Sequence, residues 1–254
     1  MGMGKVLLIT GAGGGLGSLV AASEAKNYGE IALLDRDGGR LSSAAKKVRS
    51  SGGASPHMLQ ADVSDMAQLE RALSQFTSID GLVNAAGVLG PVERFGDGSW
   101  DDWVRAVSVN FVGNAAVCRA ALPALLNSRR GKIVNFAGGG SAGVRPHHSA
   151  YASSKAAMVR FTEILAAECP GMDANIIAPG AHRTGIWDGE THDKPPEKWA
   201  DKGRFLSLVS FLLSGKSDGI SGKFIHINDE WEKFTPQINR SDMYTLRRRE
   251  PARQ

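Results

Sequence analysis

The sequence is poor in cysteine and has no long uninterrupted apolar run. Cys118 and Cys169 are the only cysteines among its 254 residues, too few for a disulfide framework or a zinc site of their own. Both lie among Ala and Leu, so we expect buried, reduced thiols in a cytoplasmic protein. No apolar run approaches the roughly 18 residues that cross a bilayer, and the first apolar stretch is too short for a signal peptide. We therefore expect no association with a membrane.

Net charge is also small outside one segment. The net charge is +4, and residues 240–254 alone contain five arginines and two acids. A basic tail of this kind is more typical of a solvated or subunit-contacting end than of a nucleic-acid surface. Nucleic-acid binding through residues 247–249 is therefore the weakest alternative, and we expect no nucleic-acid partner.

The sequence is rich in short apolar runs that alternate with amphipathic stretches. This alternation predicts an α/β fold, a doubly wound parallel sheet of about seven strands with helices on both faces. No change in composition marks a boundary, so we predict a single domain over residues 1–254. Residues 181–202 match no regular element and are long for a connection, so we predict a mobile lid there. Predicted strands are 5–10, 31–35, 56–60, 79–84, 132–137, 175–178 and 223–227, and predicted helices are 16–26, 41–49, 66–75, 100–126, 149–168 and 204–213.

A glycine-rich turn separates the first predicted strand from the first predicted helix. It reads TGAGGGLG over residues 10–17, which matches neither G-x-G-x-x-G nor a P-loop but does match T-G-x-x-x-G-x-G. Glycines let the backbone approach a pyrophosphate, and the helix N-terminus offers free N–H groups. A generic glycine-rich turn is the alternative. The candidate dinucleotide-binding residues here are Thr10, Gly11, Gly15, Leu16 and Gly17.

Residues at the ends of the next predicted strands extend this candidate site. Asp35 ends the second strand, where a carboxylate can accept hydrogen bonds from an adenosine ribose and repel a 2′-phosphate. Arg36 argues for the phosphate, but the glycine turn carries no basic residue, so we predict NAD in preference to NADP. Further candidates, which follow the third and fourth strands, are Asp62, Val63, Asn84, Ala85 and Gly87.

The sharpest catalytic pattern is YASSK, over residues 151–155. Tyr151 and Lys155 are four residues apart and share one helix face. A Lys ammonium beside a phenol favours the phenolate and lowers its pKa from about 10. We therefore expect Tyr151 to act as a general acid and base near neutral pH.

Together these motifs resemble the short-chain dehydrogenase/reductase family. The resemblance runs from Lys5 to about Ile227 and rests on TGAGGGLG, Asp62-Val63, NAAG at residues 84–87, Asn110, YASSK and Pro179-Gly180, in the family's order. It implies a Rossmann-like fold and hydride transfer between nicotinamide and an alcohol or carbonyl carbon. It also implies a homodimer or homotetramer built on the two long helices. Implied roles are proton exchange for Tyr151, ribose binding for Lys155, a water relay for Asn110, and cofactor contacts for Pro179, Gly180 and Thr184.

One element of the family pattern is missing. The serine that usually lies 13 residues before the tyrosine is Gly138 here. Ser141, on the same glycine-rich run, is the expected replacement donor to the substrate oxygen, and a backbone N–H of that run is the alternative. His147 and His148 could also donate, but adjacent loop histidines are more often solvated. A catalytically impaired sensor or scaffold that binds a dinucleotide is therefore the alternative to an NAD-dependent oxidoreductase of alcohols or ketones.

Three tryptophans lie outside the strand and helix pattern. Trp187 and Trp199 fall within the predicted lid, and Trp231 follows the last predicted strand. Either lid tryptophan could line an apolar substrate pocket or pack the lid onto the body. The sequence does not identify the substrate, the direction of reaction or the assembly.

Overall fold

A seven-stranded parallel sheet forms the centre of the computed structural model, which describes residues 4–247. The strand order is β3-β2-β1-β4-β5-β6-β7. This order reverses direction between β1 and β4, where a crevice opens at the carboxyl ends of the strands. The predicted doubly wound parallel sheet is confirmed. The strands are β1 Val6–Thr10, β2 Glu30–Asp35, β3 Ser55–Gln60, β4 Gly81–Asn84, β5 Lys132–Phe136, β6 Asp173–Ala178 and β7 Phe224–His226.

Helices cover both faces of the sheet. On one face, α1, α2 and α7 pack over inward-facing residues such as Leu7, Ile9 and Leu33. On the other, α3 and α5 pack over Leu8 and Leu34, with α6 beside them. Alternate strand residues thus enter opposite cores, which is why the strands are apolar throughout. The helices are α1 Gly15–Glu24, α2 Gly38–Ser51, α3 Met66–Leu73, α4 Trp100–Val107, α5 Asn114–Leu126, α6 Ser149–Glu168 and α7 Lys202–Leu213.

The long helical region predicted over residues 100–126 consists of three pieces. Helices α4 and α5 flank a π-helical segment, Ser108–Gly113, which changes the facing of the side chains along the axis. By length and composition this 27-residue stretch is apolar enough to cross a membrane, so the sequence argument against any such segment was too strong. Its residues Val117, Ala121 and Leu125 are nonetheless buried against the sheet.

Two other expectations need adjustment. Cys118 is buried as predicted, whereas Cys169 is only partly buried, at the end of α6 where the helix leaves the core. The predicted basic tail, 240–254, is described only as far as Arg247, whose guanidinium pairs with the Glu163 carboxylate of α6 at 3.0 Å. Residues 248–254 lie outside the described part.

Candidate active site

A large cleft opens at the carboxyl ends of the strands. Its volume is about 1180 Å³, and it extends from the glycine turn after β1 to the start of α6. Most of the predicted site residues line it, although they come from six different segments of the chain. Those that do are Gly11, Gly15, Leu16, Gly17, Asp35, Arg36, Asp62, Val63, Ala85, Gly87, Tyr151, Lys155, Pro179, Gly180 and Thr184.

The glycines of the turn are needed because other backbone lies against them. Gly11 has φ +59°, and a Cβ there would lie 2.8 Å from the Ala86 Cα. A Cβ on Gly17 would collide with the Gly11 carbonyl oxygen, and one on Gly15 would lie 2.6 Å from the Thr184 Cβ. Helix α1 starts without a side-chain cap, which leaves its first N–H groups uncapped where its first residues line the cleft. The turn therefore forms a cradle that can hold a diphosphate at a helix N-terminus.

Asp35 lies at the rim of this cradle. Its Oδ2 accepts a hydrogen bond from the Gly13 N–H at 3.1 Å, and its Oδ1 accepts one from the Asp37 N–H at 3.1 Å. Arg36 and Arg40 line the same end of the cleft. Both signs of charge are therefore present where the adenosine ribose of a dinucleotide would lie.

Asp62 and Val63 form the neighbouring wall. The Ser64 hydroxyl and N–H both donate to Asp62 Oδ1, at 2.6 and 2.9 Å. These bonds hold the pKa of the Asp62 carboxyl below its usual range. An ionised Asp62 beside an apolar Val63 suits the predicted frame for adenine.

Thr10 and Asn84 do not line the cleft. They belong to a buried chain of side-chain hydrogen bonds, in which Thr10 donates to Asn84 at 3.4 Å and Asn84 donates to Asn135 at 2.9 Å. Asn135 donates to Thr162 of α6 at 2.8 Å, and the Ala86 N–H donates to Thr10 at 3.2 Å. Thr10 and Asn84 therefore lie behind the residues that line the cleft and support them through these hydrogen bonds.

Tyr151 and Lys155 meet in the cleft on the first turns of α6. The Lys155 Nζ lies 5.7 Å from the centroid of the Tyr151 ring and donates to the Phe136 carbonyl at 2.9 Å. Burial raises the pKa of Tyr151, and the cation that opposes this shift is Arg145, not Lys155 as the sequence suggested. Burial also lowers the pKa of Lys155 to about 8. The expectation of a lowered pKa for Tyr151 was therefore wrong: its phenol is protonated near neutral pH, and only Lys155 titrates close to that range.

Asn110 lies in the π-helical segment, behind the cleft. Its Oδ1 accepts from the Val88 N–H and its Nδ2 donates to the Val88 carbonyl, both at 2.8 Å. The same Nδ2 lies 3.2 Å from the Ser154 hydroxyl. Since its side-chain amide is occupied in this way, Asn110 fixes the loop after β4 against α6. Its expected water relay stays a prediction.

Gly138 lies directly against Tyr151. A Cβ on Gly138 would lie 2.7 Å from Cε1 and 2.8 Å from Cζ of Tyr151, and it would collide with the hydroxyl oxygen. The Ser141 hydroxyl accepts from the Gly138 N–H at 3.0 Å and donates to the Gly138 carbonyl at 2.8 Å. Its proton is thus committed to the loop, and Ser141 is not among the residues that line the cleft. This geometry weighs against the expected role of Ser141 as donor.

A charged cluster that the sequence did not reveal borders the tyrosine. Arg145 pairs with Glu190 at 2.8 Å and with Asp193 at 2.8 Å. His148 is fully buried, and its Nε2 lies 2.8 Å from the Glu190 carboxylate. Burial would raise the pKa of Glu190, but hydrogen bonds from the Asp193 N–H and from His148 hold it at about 2. No sequence motif indicates these residues. The expectation of a solvated His148 was wrong.

The predicted lid, residues 181–202, contains one short 3₁₀ turn, Gly185–Gly189. Trp187 lines the cleft. Trp199 packs edge-on against the Trp187 ring, with the ring centroids 5.3 Å apart, and is not among the residues that line the cleft. Trp231 is instead buried in the core. The segment closes at its base, where the Ala200 N–H donates to the Ala181 carbonyl at 2.8 Å. Its mobility stays a prediction.

Comparisons with known proteins agree with this geometry. The sequence profile of a family described as short chain dehydrogenase matches residues 5–195. D-threitol dehydrogenase of Mycolicibacterium smegmatis is 31% identical, over 86% of this chain and 89% of that protein. 2-(S)-Hydroxypropyl-CoM dehydrogenase 3 of Xanthobacter autotrophicus is 34% identical, over 86% of this chain and 92% of that protein. A crystal structure of NAD+-bound xylitol dehydrogenase has a TM-score of 0.80 at 27% identity, over 88% of this chain and 97% of that one.

Proposed function

We propose that this chain, which belongs to the short-chain dehydrogenase/reductase family, is an NAD-preferring oxidoreductase that interconverts a secondary alcohol and a ketone. One observation carries the proposal. Tyr151 and Lys155 lie in the same cleft as the glycine cradle, so an acid/base pair faces the space beyond a bound dinucleotide. That placement matches proton exchange and hydride transfer at one substrate carbon.

The residues of the cleft suit a nicotinamide dinucleotide. The cradle lacks side chains where Gly11 and Gly17 meet other backbone, so a diphosphate can approach the start of α1. Lys155 points its ammonium into the cleft, where it can bind the hydroxyls of a ribose. When bound, the nicotinamide ring supplies the hydride acceptor or donor. The proposed contact of Thr184 follows from its position opposite Gly15.

Tyr151 performs the proton transfer. In the oxidising direction, its phenolate accepts the proton of the substrate hydroxyl while the hydride leaves the same carbon, so a carbonyl forms. In the reducing direction, its phenol gives the proton to the carbonyl oxygen. Lys155, whose Nζ lies 5.7 Å from the centroid of the Tyr151 ring, binds the cofactor next to this base.

This mechanism sets the sign of the pH dependence. Burial raises the pKa of Tyr151, so the phenol is protonated at neutral pH. Alcohol oxidation requires the phenolate, and its rate should therefore increase with pH until the phenol has ionised. Ketone reduction requires the phenol, and its rate should fall over the same range.

The charge at the rim supports NAD as the preferred cofactor. The Asp35 carboxylate would repel a 2′-phosphate, whereas Arg36 and Arg40 would attract one. We give Asp35 the greater weight because its hydrogen bond to Gly13 holds it at the cradle itself. Small neutral alcohols are the first substrates to test, since two of the relatives are named for threitol and xylitol.

The test is a titration of NAD and NADP into the purified protein, followed by a panel of secondary alcohols and ketones read by nicotinamide absorbance. Tyr151→Phe should keep cofactor binding and lose roughly 10²–10⁴-fold in turnover, the usual contribution of a general acid/base. Lys155→Ala should weaken both binding and turnover. Tyr28→Phe is the matched control, because Tyr28 is a buried tyrosine of the opposite core.

Undiminished turnover by Tyr151→Phe would overturn the mechanism. Tight dinucleotide binding with no turnover across the panel would instead favour the sensor or scaffold. A cytoplasmic location and a homodimer or homotetramer stay predictions. Sedimentation of the protein at several concentrations tests the assembly.

A further inference from the structure

The catalytic end of the cleft has an unfilled role. A substrate oxygen next to the Tyr151 hydroxyl needs a second hydrogen-bond donor to polarise it. Gly138 has no side chain to offer, and the proton of Ser141 is donated to the Gly138 carbonyl. A side-chain donor must therefore come from another residue near this loop, and a backbone N–H of Gly139 or Gly140 is the alternative.

We propose that Arg145 donates this hydrogen bond, from its Nη1, to the substrate oxygen beside Tyr151. Its guanidinium carbon lies 6.0 Å from the centroid of the Tyr151 ring. Nη1 lies 3.3 Å from the Cβ position of Gly139, which lines the cleft next to Gly138. The inference rests on the proposed function and assigns a catalytic residue to it.

The ion pairs of Arg145 leave that one nitrogen available. Nε donates to Asp193 Oδ2 at 2.9 Å, and Nη2 donates to Glu190 Oε2 at 2.8 Å. Among the described residues, 4–247, Nη1 has no hydrogen-bond partner. A guanidinium is planar, so two anchored nitrogens fix the direction of the third. The anchored fork thus aims a charged donor at the side of the glycine-rich run.

The two anchors are themselves held firmly. Glu190 Oε1 accepts from the N–H groups of His192 and Asp193 at 3.0 and 2.9 Å. Its Oε2 also contacts His148, at 2.8 Å. Glu190 and Asp193 lie in the predicted lid, whereas Arg145 and His148 lie just before α6. The donor is therefore in place only while this part of the lid contacts the body.

The same cation acts on the base. Arg145 is the group that opposes the effect of burial on the pKa of Tyr151. A single side chain would thus both polarise the substrate oxygen and favour the phenolate that accepts its proton. A serine hydroxyl at position 138 could do only the first.

The same cluster contains side chains that could bind a metal ion, but the contacts favour the role of Arg145. Ligand atoms of His148, Glu190 and Asp193 lie within 4.8 Å of one another. Both carboxylates, however, already bind the Arg145 guanidinium. A metal would have to displace a buried ion pair, so we assign the cluster to Arg145.

The experiment compares Arg145→Ala with the unaltered enzyme, using NAD and the best alcohol of the panel. We expect kcat/KM to fall about 10²–10³-fold, the cost of losing one such donor, while the Kd for NAD stays unchanged. Added guanidinium ion should restore part of the rate. Arg183→Ala is the matched control, since Arg183 is a lid arginine that lies over Trp199, at 5.4 Å, and does not line the cleft.

A second measurement needs no substrate. The phenol of Tyr151 can be titrated by ultraviolet absorbance in the NAD complex, with Tyr151→Phe as the blank. Arg145→Ala should raise its pKa, and Arg183→Ala should leave it unchanged. If Arg145→Ala does not fold, Arg145→Lys keeps the cation and should show a smaller loss of rate because it loses the planar fork.

The outcomes separate this inference from the proposed function. If Tyr151→Phe is inactive while Arg145→Ala and Arg145→Lys both keep kcat/KM within twofold, the inference fails and the proposed function stands. An unchanged phenol pKa in Arg145→Ala also overturns it. Absence of any nicotinamide-dependent turnover in the unaltered protein overturns the proposed function first.

Discussion

The cofactor end and the catalytic end of the cleft are held by different forces. At the cofactor end, Gly11 and Gly17 permit contacts between main-chain atoms, and no charged pair is needed. At the catalytic end, Arg145 is held between two carboxylates of the lid. Steric fit is local and insensitive to pH, whereas the ion pairs join distant segments and depend on ionisation. The two ends should therefore respond differently to the same kind of substitution.

Among the substitutions that separate the two ends, Gly138→Ser should show the largest effect, because steric fit controls the catalytic end as well. The new Cβ would displace the Tyr151 ring, so restoring the family's serine should lower kcat by about 100-fold, the cost of a misplacement near 1 Å. Gly143→Ser is the control, since its Cβ would meet nothing within 4 Å. A kcat equal to or above that of the unaltered enzyme would show that the loop relaxes freely.

Gly17→Ala tests the cofactor end. Its methyl group would lie 2.9 Å from the Gly11 carbonyl carbon, and a steric cost of about 1–3 kcal/mol would raise the Kd for NAD roughly 10–100-fold. The pKa of Tyr151 should not change. Gly53→Ala, which has no neighbour within 4 Å of the added atom, should bind NAD normally. Titration by nicotinamide fluorescence measures both.

Acid should weaken the catalytic end selectively. The folded-state pKa of Glu190 is about 2, against 4.5 for the free side chain, so its stabilisation is complete above pH 4.5. It is lost as the pH falls through about 2, and we expect a loss of about 1–3 kcal/mol. Glu190→Gln should lower the Tm at pH 7, and on acidification the Tm of this variant should fall less than that of the unaltered protein. The exposed lid residue Glu197 gives the control, Glu197→Gln, whose Tm should match the unaltered protein at each pH.

Asp35→Ser should have the smallest effect. Removing one partly buried charge near a phosphate changes binding by about 1 kcal/mol, so the preference for NAD over NADP should narrow roughly fivefold. Asp37→Ser is the matched control, because the Asp37 carboxylate caps α2 and does not line the cleft. If NADP already binds more tightly to the unaltered protein, Arg36 sets the preference.

The sequence predicted the fold well because hydrophobic periodicity reports burial on both faces of a sheet. Helix α6, Ser149–Glu168, has the predicted bounds, and every predicted strand is present. The π-helical segment within residues 100–126 was not foreseen, since a one-residue change of helical pitch leaves little trace in periodicity.

The candidate site was predictable to the extent that it is local. Tyr151 and Lys155 lie four residues apart on one helix, and the glycine turn is contiguous. The pairs of Arg145 and His148 with the lid join residues 42 to 48 positions apart, and all of these residues lie in loops. Ion pairs between loops leave no period or spacing in a sequence, so only the folded geometry reveals them.

The buried chain from Thr10 to Thr162 joins the strand before the glycine turn to the helix that carries Tyr151. Each of its members would leave a partner unsatisfied in the core if either neighbour withdrew. The segments it connects therefore open together or not at all. In hydrogen exchange, the amides of β1, β4, β5 and the middle of α6 should gain and lose protection as one cooperative unit. The two ends of the cleft are shaped by different forces, but they unfold together in one equilibrium.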